Sequence, residues 1–209
     1  MIPSTETASK TKPGRPVDPG VRTAILDATL QLLAEEGYTR MSMVAVAAKA
    51  GVTKPTVYRR WKNKEKLAMA AIEQLLVDEP LPPDTLPAPE GLRIILSTLQ
   101  KTLFRPDGMP IIGAVMVEQR HTRDLINHFR KRVVQPRRMM LHEVLKQAEQ
   151  RGDLIPNPDI DAAVNMLIGS FYAHYLTDEK IPSTWARRIV DTVWEGIAAT
   201  DKSRGTRKR

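Results

Sequence analysis

Lys54, Thr56, Tyr58, Arg59 and Arg60 stand close together, interrupted by Val57 and followed by Trp61. The chemistry they offer is hydrogen-bond donation from an ammonium, two guanidinium groups and hydroxyls. Such donors suit phosphate oxygens, a lysine or arginine can also donate to guanine, and threonine or proline can touch a thymine methyl. Val57 and Trp61 are four apart and share one helical face, which leaves Lys54, Thr56, Arg59 and Arg60 as a short basic surface.

A short helix can present that surface only if something holds it, and the residues before it supply the parts. Val46, Ala47 and Ala50 fall on one face of a preceding helix, with side chains small enough for close approach. Ser42 is its N-cap, where a hydroxyl and free backbone N–H groups could receive a phosphate. Gly51 permits the left-handed turn that ends it, Val52 tucks that turn onto a core, Thr53 caps the next helix and Pro55 sits in its first turn. Ser42 to Trp61 therefore reads as a helix-turn-helix whose second helix enters the DNA major groove. The alternative is an ordinary helical hairpin with a solvated basic face.

Outside this unit the reading is helical throughout. A first helix is capped by Asp18, starts at Pro19 and is followed by Gly37, with Ile25, Ala28, Leu32 and Leu33 as its apolar stripe. Asn63 caps another, with Lys64 in its first turn, running to about Val77. Five prolines between positions 80 and 90 mark a boundary. Beyond it come an amphipathic helix from Glu90 to Phe104 and a short apolar one from Pro110 to about Gln119, expected to be buried all round. A long helix from Arg123 to Gln150 should bend near Pro136, and two last helices follow, capped by Asp159 and Ser183. The expected architecture is all-α: an N-terminal three-helix helix-turn-helix domain and a C-terminal helical bundle. The divisions are a flexible basic arm at 1–17, the DNA-binding domain with its linking helix at 18–78, a second domain at 79–200 and a basic tail at 201–209.

Charge supports that division. Of the net +8, residues 1–66 carry +6, residues 67–200 carry −2 and the tail +4. Basicity thus gathers at the helix-turn-helix and the termini, as in a polyanion-binding module joined to a near-neutral partner. Arg15, between Gly14 and Pro16, suits a narrow A·T minor groove, although a disordered leader explains the arm as well. Cysteine is absent, which excludes disulfides and thiolate chemistry. No apolar run is long enough to span a membrane and no signal-peptide core is present, so the expected compartment is the cytoplasm. The four histidines lack metal-ligand spacing, and no phosphate-cradling glycine loop, nucleophile elbow or HExxH occurs. No enzyme, metal or cofactor is expected.

The span from about Val21 to Leu76, through VAAKAGVTKPTVYRRW and the following KNKEKL, resembles the DNA-binding domain of the tetracycline-repressor (TetR) family of bacterial regulators. The resemblance implies DNA contacts at Ser42, Thr53, Lys54, Thr56, Tyr58 and Lys64, to which the residue chemistry adds Arg15, Pro55 and Arg59. It also implies a homodimer on a palindromic operator, released by a small-molecule effector, with the last two helices pairing in a four-helix bundle. Val164, Leu167, Ile168, Ile189, Val193 and Ile197 are the apolar candidates for that interface. Phe104, Met116, Phe129, Met166, Phe171, Tyr172 and Tyr175 are candidates to line the effector pocket, each equally explicable as core. A helix-turn-helix protein with no effector, constitutive or architectural, is the other reading of the same residues.

Overall fold

The structure of the chain is a computed structural model, which describes residues 19–74, 82–83, 85–177 and 180–199. Arg15, the cap at Asp18, the end of the helix expected to reach Val77, and the basic tail lie outside the described residues. Ten α-helices follow one another among those described: α1 (Pro19–Arg40), α2 (Met43–Lys49), α3 (Lys54–Tyr58), α4 (Lys64–Glu73), α5 (Ala88–Leu103), α6 (Gly108–Val117), α7 (Arg123–Phe129), α8 (Gln135–Arg151), α9 (Ile160–Leu176) and α10 (Trp185–Ile197). The all-α expectation holds: these residues form no strand beyond one isolated bridge between Leu154 and Ala198. None of these helices is long and apolar enough to cross a membrane.

The elements begin and end where local chemistry says they should. α1 is interrupted at Gly37, whose φ of 79° is left-handed, and Tyr38 to Arg40 form a further turn. Asn63 caps α4 by accepting from the Lys66 amide at 2.9 Å, and Asp159 caps α9 by accepting from the Ala162 amide at 2.9 Å. Gly152, with φ 78°, closes α8. α10 begins after Thr184, one residue beyond the expected cap.

The helix expected to bend near Pro136 carries a π-helical turn at Arg130–Val134, just before that proline. Proline lacks an N–H and crowds the carbonyl four residues earlier, which is where this turn lies. One expectation needs correction. α6 is not buried all round: Ile111, Ile112 and Val115 face the core, while Gly113, Met116 and Val117 face solvent. Its buried side lies along α1, the most extensive helix pairing among the described residues. The core is thus continuous from Ile25 and Leu33 of α1 through Ile111 of α6 to Leu96, Leu145 and Phe171 in the C-terminal helices.

Candidate nucleic-acid interface

α2 is fixed at its start by Ser42, whose Oγ accepts from the Ala45 amide at 3.1 Å. At its end Gly51 takes φ 65°, and the Val52 amide donates to the Ala47 carbonyl at 2.9 Å, folding the chain back. Val46 and Ala47 are buried against neighbouring helices, as their size requires. α3 then leaves the turn with Val57 fully buried and Trp61 buried just past its end, and the Arg22 guanidinium stacks 5.6 Å from the Trp61 ring. Those two anchors turn Lys54, Pro55, Tyr58 and Arg59 outward, with Thr56 half-buried beside them. Tyr58 is 51% exposed, so its side chain is accessible to a ligand.

Thr53 behaves differently from the expectation. Its Oγ1 lies 2.9 Å from Thr56 Oγ1, and it makes no side-chain cap to the helix backbone. The two hydroxyls form a small polar pair on the exposed side of the turn. Arg60 folds back to donate to the Thr56 carbonyl at 3.3 Å, which draws its charge away from the outward surface.

Lys64 has a structural duty that its position in a helix's first turn did not disclose. Its Nζ donates to the Tyr38 and Thr39 carbonyls at 2.9 and 3.2 Å and sits 4.4 Å from the Tyr38 ring centre. An ammonium has three protons, so this clamp still leaves one for a phosphate oxygen. Burial, with the Glu65 and Glu118 carboxylates behind it, holds the Tyr38 phenol above its ordinary pKa. The starts of α2 and α4 and the end of α1 therefore converge on one small, hydrogen-bonded junction. The turn after Gly37 was the only signal for it in the sequence.

Glu118, in a single 3-10 turn (Glu118–Arg120) after α6, reaches the same junction from the C-terminal helices. Only 4% of it is exposed, and its two oxygens accept from Thr39 Oγ1 at 2.8 Å and Thr122 Oγ1 at 3.0 Å. At the other end of α4, Glu73 meets Arg132 at 3.0 Å and His128 at 3.2 Å. Polar ties thus span from α1 and α4 to the segment after α6.

The C-terminal helices hold an open cleft, a cavity of about 760 Å³ between the end of α5, the start of α6 and the end of α9. Of the seven pocket candidates, Phe104 and Tyr175 line it. Phe171 lies behind, edge-on to Phe104 at 5.1 Å, with Tyr172 edge-on to Phe171 at 5.7 Å. Phe129 is core, while Met116 and Met166 point outward, 56% and 61% exposed. Those three cannot line this cavity, because composition does not tell which side of a helix faces a void. Leu103, Met109 and Ile181 complete its apolar wall and were not anticipated.

The dimer candidates divide in the same way. Val164 and Leu167 have no exposed surface and pack within their own chain, so neither can meet a partner. Ile168, Ile189, Val193 and Ile197 are partly buried against that core. The outward stripe of α9 is instead Met166, Gly169, Ala173 and Leu176, at alternating spacings of three and four. On α10 the exposed small positions are Thr192 and Gly196, and a Cβ added to Gly169 or Gly196 would meet nothing.

The chain is also similar to known proteins. Residues 25–71 match the family described as bacterial regulatory proteins, tetR family, and residues 82–193 match the tetracyclin repressor-like C-terminal domain. The chain is 30% identical over 195 residues to the uncharacterized HTH-type transcriptional regulator YdeS of Bacillus subtilis, covering 91% of this chain and 96% of that protein. It is 36% identical over 186 residues to an uncharacterized HTH-type transcriptional regulator of Mycobacterium tuberculosis, covering 86% and 90%. Among solved structures the fold resembles MexZ, a repressor responsible for antibiotic resistance in Pseudomonas aeruginosa, with a TM-score of 0.68 at 19% identity over 89% of this chain and 98% of that one.

Proposed function

We propose, for a chain that belongs to the TetR family of bacterial transcriptional regulators, a homodimeric repressor that leaves a palindromic operator when a small molecule binds its C-terminal helices. That it is a DNA-binding regulator and not an enzyme follows from the family. The observation that carries the rest is the outward face of α3, where Lys54, Tyr58 and Arg59 stand exposed over buried Val57 and Trp61. Lys54, Pro55, Thr56 and Arg59 are assigned to base edges, and Ser42, Thr53, Tyr58 and Lys64 to phosphates. Arg15 is assigned to the minor groove, from an arm that lies outside the described residues.

A five-residue helix reads few base pairs, so affinity and specificity call for a second copy one helical turn of DNA away. The outward stripes of α9 and α10, apolar and small, suit helix-to-helix packing between two copies. We assign DNA recognition to residues 18–78 and effector binding and dimerisation to residues 79–200, acting in the cytoplasm. Repression is the family's commoner sense. The cavity supports an effector because Met109 and Pro110, at one end of α6, line it, while Glu118 just past the other end holds Thr39. A ligand that favours one position of α6 would shift the junction that orients α2 and α4.

Selection of bound sequences from random duplexes with the purified protein tests the DNA reading. A palindromic consensus is expected, and no enrichment would overturn it. Screening small molecules by thermal shift, then by release of the selected DNA, tests the effector. Hits that stabilise the protein but never release DNA would favour the constitutive alternative.

A further inference from the structure

The near-neutral charge of residues 67–200 conceals a sharp local segregation. Residues 120–138 hold seven Lys/Arg against the single acid Asp124, a net of +6. The remainder of 67–200 then holds eight Lys/Arg against sixteen Asp/Glu, a net of −8. An otherwise acidic unit has gathered nearly half of its cations into nineteen residues. Charge kept only for solubility has no reason to collect so densely.

The fold puts this segment against α4, the helix that follows the helix-turn-helix. It begins two residues after Glu118, which is bonded to Thr39, three positions before the phosphate candidate Ser42. α7 and the π-helical turn pack on α4, and His128 and Arg132 meet its last residue, Glu73. Some of the seven cations are engaged elsewhere: Arg132 pairs with Glu73, and Arg138 turns to Asp161 and Asn165 of α9. Arg137 lies near Tyr172, also on α9. Arg120, Arg123 and Lys131 are exposed and form no hydrogen bond or ion pair among the described residues, and Arg130 makes only a 3.5 Å contact with Gln119. Arg123 occupies the first position of α7, the end where a helix dipole favours anions, so the helix itself gains nothing from that charge. Asp124 is the only acid in the segment to set against them.

We infer that Arg120, Arg123 and Lys131, with Arg130 beside them, form a second DNA contact, in which the C-terminal helices bind duplex phosphates flanking the site read by α3. The contact rests on the proposed DNA reading and adds to it a sequence-independent cationic surface outside the helix-turn-helix. Its consequence is that affinity depends on DNA length beyond the operator, and that a shift of the segment after α6 alters this contact along with the head.

The test compares the wild-type chain with the triple variant Arg120→Gln, Arg123→Gln, Lys131→Gln, and separately with Arg120→Glu. All three positions are exposed, so both variants should keep the wild-type circular dichroism and melting temperature. The probes are a random-sequence duplex no longer than the footprint of the reading helices and the same duplex extended on both sides. For the wild type, extension should tighten binding and steepen the dependence of log K on log salt. The triple variant should lose that gain, with a slope shallower by about 0.9 for each phosphate that is no longer neutralised. Arg120→Glu should weaken binding to the long duplex more than to the short one. Equal slopes and equal length dependence for wild type and variants would overturn the inference while leaving the DNA reading intact. Failure of the wild type to bind either duplex, with no sequence enriched in the selection, would instead overturn the reading it rests on; failure with an enriched operator would overturn the sequence-independent contact alone. Loss of binding to anionic phosphatidylserine vesicles in the variants, with DNA binding unchanged, would also overturn it and assign the patch to a lipid surface.

Discussion

Replacing Glu118 by alanine removes the carboxylate that, among the described residues, joins the segment after α6 to the turn that ends α1. Hydrogen bonds to a charged group contribute roughly 1.5–3 kcal/mol each. Glu118 makes two, but the Thr39 hydroxyl is exposed and regains water when the carboxylate leaves, so its bond belongs at the low end. Removing a buried charge also recovers part of its desolvation cost. The expected net loss is about 2–3 kcal/mol, or roughly 5–10 °C in melting temperature for a chain of this size. Glu118→Gln should lose about 1 kcal/mol, because the amide oxygen still accepts and a threonine hydroxyl can rotate to accept from its NH₂. Urea denaturation of Glu118→Ala, Thr39→Val and the double variant gives the coupling across the junction directly, expected at about 1–2 kcal/mol. A coupling under about 0.3 kcal/mol, the level of independent sites, would refute the claim that this bond joins the two sets of helices.

The interface makes further predictions. Tyr58→Phe should weaken binding to specific and random DNA alike and flatten the salt dependence, whereas Lys54→Ala or Thr56→Ala should change base preference by roughly 1–3 kcal/mol for each base-edge interaction removed; uniform weakening by all three would remove that division of roles. Gly51→Ala meets no neighbour but must hold φ 65°, so it should destabilise by about 1–2 kcal/mol through the backbone alone, measured by denaturant titration. Trp61→Ala, emptying a buried site beneath α3, should cost about 3–5 kcal/mol in the same assay. Burial raises the Tyr38 and Tyr172 pKa values in the folded state above the ordinary value of 10.0. Their stabilising contribution is therefore full below that value and lost as pH rises through the folded values, so the melting temperature should fall above about pH 10.

Helix ends and the helix-turn-helix were legible because local chemistry determines them. Ser42, Gly51, Asn63, Gly152 and Asp159 each act within a few residues of themselves, and the structure uses each as a cap or a turn. Facing was legible only where the polar and apolar sides of a helix differ strongly. α5 shows its stripe plainly, and Leu92, Ile95, Leu96, Leu99 and Leu103 are all buried. α6 and α9 are apolar on several sides, so the sequence could not say that Met116 and Met166 face outward or that Val164 and Leu167 face inward. Long-range partners were not legible at all: nothing near Glu118 announces Thr39, seventy-nine residues away, nor Lys64 the carbonyls of Tyr38 and Thr39. The basic segment at 120–138 was concealed for a simpler reason, since a sum over a whole domain cancels opposite charges that the fold keeps apart.

How far an effector could move this protein is bounded by the same junction. α6 has ten residues, about 15 Å of rigid rod, with cavity-lining Met109 and Pro110 at its start and Glu118 just beyond its end. Its buried side packs along α1, so α6 cannot slide without disturbing Ile111 and Val115 in the core. A ligand that prefers a displaced α6 must therefore supply the free energy to release the Glu118–Thr39 contact, and coupling between ligand and DNA of about 1–3 kcal/mol is the usual scale. That is close to the roughly 1–2 kcal/mol assigned above to the single hydrogen bond. If this bond carries the coupling, Glu118→Ala binds the same ligand but no longer transmits its binding to DNA affinity. Unchanged ligand-induced release in that variant would place the coupling in the apolar contact between α1 and α6 instead.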